Sequence, residues 1–330
     1  MKKRWVSIDN LKGLLTLLVI LGHVTVGLEG LANGAYSTAT WVEKISTIIY
    51  AFHMPAFFAL SGFFWKEKGK ISAKSRCTII KNKVIALALP YLLCSIAYFL
   101  IKYAMAGYTE VDMTWEKLLL IPVQPIEFFW FLYSLFTISI LAEVLDALGI
   151  KKQIVLVVLM LIALGDFVDT DFMALYKTAE NAVYFYIGSV AFDCKEYLTK
   201  SKGIVLTGIA TLVFFWVYLN VYEADNVVFH FLLCVSLIGF LIGIAMRWME
   251  REYGWLTYIG KYSMPFYVIH VIFVGGIRIL LYRANVQDTL CHVIVGFTLS
   301  TLVCYVLYRF VMSKIKWMDF FFYPMNYIKK

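Results

Sequence analysis

The sequence predicts an all-α, polytopic integral membrane protein of about ten transmembrane helices, with both termini in the cytoplasm. Three observations lead there. Hydrophobic residues make up 62% of the 330 residues and charged residues only 16%, against roughly 25% charged in a soluble domain. The apolar residues gather into runs near the ~20 residues that a helix needs to cross hydrocarbon. Lysines and arginines gather in alternate connections between those runs, as the positive-inside rule requires.

Taken in order, the first run covers approximately 11–28; although MKKRW before it imitates a signal peptide, no small-residue cleavage site follows, so a retained helix is expected. The second (45–65) carries FHMPAFFALSGFF, and the third (84–106) follows a strongly basic connection. The fourth runs over 128–147, while the fifth (153–169) and sixth (180–194) are shorter than the other runs. The seventh to tenth cover 203–221, 226–247, 255–281 and 288–312. Pro55 and Pro265 fall inside two of these runs and predict local kinks. No internal repeat, large soluble loop or low-complexity linker interrupts the pattern, so residues 1–330 read as a single membrane domain.

Orientation follows from charge. With the N-terminus inside, 24 of the 30 basic residues fall on the cytoplasmic side, including Lys66, Lys68, Lys70, Lys74, Arg76, Lys81 and Lys83. Lys44, Lys102, Lys117, Lys177, Arg278 and Arg283 fall outside or near outer ends, and the acids Glu110, Asp112, Glu116, Asp166, Asp169 and Asp171 lean outward too. The net charge of +8 is thus explained by topology, and nucleic acid is not an expected partner; membrane lipids are. The six cysteines include no CxxC pair and predict neither a disulfide framework nor a metal site; they read as small buried hydrophobes.

Ionisable groups inside a bilayer are costly and mark function. His23 lies in the otherwise apolar LVILGHVTVG, and His53 lies in the second run at similar depth. Lys12 precedes His23 by eleven residues, which is three helical turns plus about 20°, so both share one face about 16 Å apart along the axis. A cation near the cytoplasm and an imidazole deeper on the same face suit a long anionic ligand. Asp9, three residues before Lys12, can pair with it or sit favourably at the helix N-terminus.

Five segments, SIDNLKGLLTLLVILGHV, FHMPAFFALSGFFW, KNKVIALALPYLL, FFWFLYSL and YIGKYSMPFYVIH, occur in this order along nearly the whole chain. Together they resemble the acyltransferase family 3 of bacterial membrane O-acyltransferases, most closely its fucose 4-O-acetylase-like branch. The resemblance implies a multi-pass protein of the bacterial cytoplasmic membrane that moves acetyl from acetyl-CoA to a hydroxyl of a cell-envelope or exported glycan. It places the family's first-helix basic residue and histidine on Lys12 and His23, with lysine where many members have arginine, and its basic pair before the third helix on Lys81 and Lys83, leaving Arg76 as a third candidate. Lysine keeps the charge but lacks the bidentate fork, so a phosphate would be held as a point charge.

A sugar hydroxyl needs a general base with a pKa near the working pH, which favours histidine. His23 is the expected base, and His53 is expected to donate to the oxyanion or to orient His23. Lys12, Arg76, Lys81 and Lys83 are the expected ligands of the acyl-CoA phosphates, and no metal is implied. Asp9, Ser61, Glu127, Trp130 and His270 complete the set expected near the acceptor, a glycan or lipid-linked sugar; Trp130 offers a stacking face, Ser61 reads more readily as a packing residue than as a nucleophile, and His270 as a bridge between helices. Within these residues no esterase-like domain follows the membrane region, so acylation is expected there or through a separate envelope acyltransferase partner. A secondary transporter, or a membrane component of amino-acid supply with a related fold, is the alternative; paired broken helices and inverted repeats would favour it.

Overall fold

A computed structural model of the chain describes residues 5–29, 40–104, 114–165, 172–220 and 226–328, and these form helices without a strand. The helices are α1 (Val6–Glu29), α2 (Thr40–Phe63), α3 (Ala73–Lys83), α4 (Leu89–Ala104), α5 (Trp115–Leu120), α6 (Trp130–Ala147), α7 (Lys152–Gly165), α8 (Met173–Asp193), α9 (Lys195–Leu198), α10 (Ser201–Asn220), α11 (Val227–Trp248), α12 (Trp255–Lys261), α13 (Ser263–Arg283), α14 (Thr289–Val306), α15 (Lys316–Phe322) and α16 (Met325–Ile328). Among the described residues eight helical stretches are long and apolar enough to cross a membrane, which makes the chain a polytopic membrane protein. The two remaining expected spans fall on α7, only 14 residues long, and on α8, whose 21 residues include Lys177, Glu180 and Asn181. Residues 1–4 and the expected outer-loop acids Glu110, Asp112, Asp166, Asp169 and Asp171 lie outside the described residues.

The chain divides into two compact units. The first comprises Met1–Leu60 and Val190–Lys314, and the second Ser61–Ser189 and Ile315–Lys330. In the first, α1 is the central helix, packed by α11, α12, α13 and α14. Gly13 and Gly260 let α1 and α12 meet backbone to backbone: a Cβ on Gly13 would strike the Leu256 carbonyl, and one on Gly260 the Asp9 carbonyl. Small residues at crossings are how membrane helices reach contact distance without a hydrophobic driving force between them.

Asn10 fastens this packing. Its amide, 0% exposed, donates to the Met249 and Arg251 carbonyls at 2.8 Å each, oxygens orphaned at and just beyond the C-terminus of α11. Its oxygen accepts from the Thr257 hydroxyl at 2.5 Å, and that hydroxyl accepts the Tyr253 N–H at 2.8 Å. Asn10→Ala is therefore expected to destabilise this unit by about 1–3 kcal/mol for each buried group left unsatisfied. A thermal melt in detergent indistinguishable from wild type would refute that accounting.

The expected ninth span, 255–281, is two helices rather than one, because the chain breaks at Tyr262 (φ −113°, ψ 34°). Pro265 sits in the first turn of α13, where its missing N–H has no intrahelical bond to lose. Pro55, in contrast, lies within the continuous helix α2. Of the cysteines, Cys94, Cys234 and Cys304 are buried as expected, whereas Cys77 and Cys194 are exposed.

In the second unit α3 and α4 are joined by a π-helical turn, Val84–Ala88, into one stretch from Ala73 to Ala104. The Leu89 N–H reaches back to the Val84 carbonyl, and this wide turn directly precedes Pro90, whose ring would crowd the carbonyl four residues before it in a regular helix. Helix α15 packs on α4, with the Cys94 thiol 3.8 Å from the Phe321 carbonyl.

Candidate active site

The histidines converge in the first unit. His23 projects from α1, and the His270 ring on α13 stands edge-on to it at 4.8 Å between centroids. Tyr50, one turn before His53 on α2, lies 6.2 Å from the His23 ring and 4.9 Å from that of His53. Tyr267 closes the group 6.2 Å from His270. Tyr50 stands between His23 and His53 while His270 meets His23 directly, so the three imidazoles form one cluster. His53 and His270 are 2% and 0% exposed, while His23 is half-buried and so the most accessible of the three.

Hydrogen bonding settles two tautomers. His53 Nδ1 lies 2.6 Å from the Ile49 carbonyl, and His270 Nδ1 lies 3.0 Å from the Phe266 carbonyl. A carbonyl only accepts, so in both rings Nδ1 carries the proton, and the neutral ring keeps its lone pair at Nε2. His53 can then donate from Nε2 only as imidazolium. As a neutral ring it serves instead to accept an N–H or O–H, which suits the orienting role expected of it better than the oxyanion-donor role.

Lys12 lies on the same uninterrupted helix, α1, half-buried, with Asp9 one turn before it and acting on its charge. The remaining basic candidates belong to the second unit, where they divide into two kinds. Arg76 donates through Nη1 to Asp146 at 2.6 Å and to Glu143 at 3.2 Å, and through Nη2 to the Gly69 carbonyl at 2.8 Å. Glu143, 0% exposed, also accepts from Lys68 Nζ at 2.8 Å and from the Trp65 indole at 3.1 Å, and Asp146 accepts the backbone N–H groups of Lys68 and Gly69. These bonds tie the connection between α2 and α3 to the end of α6. Lys81, exposed, and Lys83, half-buried, form no ion pair with a described residue.

Glu127 and Trp130 stand at the start of α6, also in the second unit. Glu127 accepts from the Tyr98 hydroxyl at 2.5 Å and pairs with Lys102 at 3.0 Å, and these bonds hold it at φ +45°, a region costly for any residue but glycine. Lys177, paired with Glu180 at 2.9 Å, lies 5.7 Å from the Trp130 ring centroid. Ser61 is half-buried beside Gly62, where a Cβ would meet the Phe185 carbonyl, so the backbones of α2 and α8 close tightly there. Sequence reading missed Tyr50, Tyr267 and the Glu143–Asp146 pair. Tyr50 and Tyr267, at i−3 from His53 and His270, carried a one-turn signal; the acids at the end of α6 carried none that named their partners.

A family model described as an acyltransferase domain matches residues 5–309. The chain is 32% identical over 142 residues to a nodulation protein NolL of Mesorhizobium japonicum, a match covering 43% of this chain and 36% of that protein. It is 29% identical over 155 residues to a nodulation protein NolL of Sinorhizobium fredii, covering 46% and 40%. The matched stretch thus spans less than half the length of these relatives. No solved structure matches the chain significantly.

Proposed function

The chain belongs to the acyltransferase family 3, and on that footing we propose that it is a membrane O-acetyltransferase acting on a glycan hydroxyl with acetyl-CoA as donor. The observation that carries the reading is the three-histidine cluster built on the helix that also bears Lys12. His23, the accessible member, takes the proton of the acceptor hydroxyl as its oxygen attacks the thioester carbonyl. The tetrahedral intermediate collapses with departure of the CoA thiolate, which leaves as the thiol once it takes up the proton. His53, with a lone pair at Nε2, orients the His23 ring by accepting its one N–H, and His270 holds the ring from the side through the edge-on contact at 4.8 Å.

The donor's phosphates are assigned to lysines without a competing carboxylate in ion-pair range, Lys81 and Lys83, and to Lys12 toward the start of α1. Arg76, already bonded to two acids, is assigned to structure. Acceptor contacts are assigned to Trp130 as a stacking face and Glu127 as a hydrogen-bonding group; Asp9, one turn from Lys12, is assigned to that lysine, and Ser61 to packing. Membership of the fucose 4-O-acetylase-like branch and a bacterial cytoplasmic membrane location are part of the same proposal.

The test is single-turnover transfer of labelled acetyl from acetyl-CoA by protein in lipid nanodiscs supplied with a lipid-linked glycan extract. Label appearing in a glycan supports the reading, and no binding or turnover of acetyl-CoA with any extract ends it. Lys83→Gln is expected to raise the KM for acetyl-CoA about tenfold with little change in kcat, the pattern of a lost ground-state contact. An unchanged KM would remove Lys83 from the donor site.

A further inference from the structure

Arg278 is a cation in the same unit that acyl transfer, as described above, does not use. It projects from α13 and is half-buried, and its Nη1 donates to the Gly27 carbonyl of α1. Gly27 is what admits it: a Cβ there would lie 2.5 Å from Nη1 and 3.4 Å from Cζ. Gly27 follows His23 by four residues, so it lies on the same face of α1, about 6 Å further along. The guanidinium is therefore seated one turn beyond the imidazole cluster, on the side away from Lys12.

Two features separate Arg278 from an ordinary topology anchor. Side chains on a helix lean toward its N-terminus, which for α13 is the direction of His270, so the guanidinium is turned toward the histidines. Arg283, exposed in the last turn of the same helix, is placed where a snorkelling arginine belongs. Moreover, no carboxylate among the described residues pairs with Arg278: Glu29 at the end of α1 accepts from Ser46, and Asp288 caps α14 through the Cys291 N–H at 2.6 Å. One carbonyl occupies one of five N–H donors, and among the described residues the positive charge has no counter-ion.

We infer that Arg278 binds an oxyanion carried by the acceptor, so that the substrate is an acidic or diphosphate-linked glycan rather than a neutral one. Planar, bidentate recognition of phosphate or carboxylate is what a seated guanidinium offers. Its place one turn from His23 sets the anionic group beside the hydroxyl to be acylated. This rests on the proposed acetyl transfer for its meaning, but the binding itself does not require turnover.

The experiment is equilibrium binding to protein in nanodiscs of three labelled probes: a polyprenyl-diphosphate-linked neutral oligosaccharide, a free oligosaccharide containing a uronic acid, and an uncharged oligosaccharide of the same size. The wild type is expected to bind at least one anionic probe at least about tenfold more tightly than the uncharged one. Arg278→Gln should abolish that preference, and Gly27→Ala, which keeps the charge but displaces the guanidinium, should reduce it. A melt of each variant close to wild type excludes misfolding, and Arg278→Lys should retain part of the preference. Preference for the diphosphate probe alone assigns the group to the lipid carrier, and preference for the uronate alone assigns it to the sugar. No preference in the wild type, or one that survives both Arg278→Gln and Gly27→Ala, overturns the inference. Loss of acetyl turnover with the preference intact would instead count against the transferase reading alone.

Discussion

Replacing His23 by glutamine is expected to slow single-turnover acetyl transfer by about 10²–10⁴-fold, the usual contribution of a positioned general base. Glutamine approximates the volume and hydrogen-bonding capacity of the ring, and His23 is half-buried rather than enclosed, so the fold should survive. Acetyl-CoA binding should change little, because the donor's charge is met elsewhere. The contrast that matters is with His53→Gln and His270→Gln. These residues hold their Nδ1 protons on backbone carbonyls at 2.6 and 3.0 Å and act on His23 rather than on the hydroxyl. Each should therefore cost less than His23→Gln and shift the pH profile of the reaction, whereas a purely structural role would lower stability and leave the profile in place. Equal loss in all three with unchanged profiles would mean that the cluster is packing.

Replacing Arg76 by methionine is expected to destabilise the second unit by about 3–5 kcal/mol, the cost of leaving buried charge without its partner. Glu143 is 0% and Asp146 4% exposed, and among the described residues Arg76 is the one side chain that bonds to both. Lys68 and Trp65 would remain on Glu143, so the loss falls hardest on Asp146. The triple variant Arg76→Met, Glu143→Gln, Asp146→Asn should recover much of the stability, since removing a whole buried ionic set is often nearly neutral. Were Arg76 instead a ligand of the donor's phosphates, the single variant would raise the KM for acetyl-CoA at unchanged stability. The triple variant would then rescue nothing.

These two expectations differ in how far the sequence foreshadowed them. His23 was legible because an imidazole in an apolar run is costly wherever it sits, and that cost depends only on the residues around it in sequence. The Lys12 to His23 spacing was legible for the same reason: one helix, Val6–Glu29, carries both, and its geometry is local. The bonds of Arg76 to Glu143 and Asp146 were not legible, because these partners lie 67 and 70 residues away. Nothing in the segment SAKSRCTIIKNK distinguishes an arginine bonded to acids from the lysines after it that are not. Charge placed Arg278 near an outer helix end, but its seat on the Gly27 carbonyl, 251 residues distant, carried no local signal.

By itself the sequence determined the class of the molecule, the approximate place of nearly every membrane helix, the family and the candidate base. All of these follow from local composition and order: hydrocarbon selects apolar helical runs, the interface selects where basic residues collect, and motif order identifies kinship. Only the tertiary structure decided which ionisable groups meet. It brought His270 to His23, bonded Arg76 to Glu143 and Asp146, and seated Arg278 on the Gly27 carbonyl. The physical reason is that membrane insertion is governed by each segment's own transfer energy, whereas a pairing depends on which helix faces touch, and that is a property of the packed bundle as a whole.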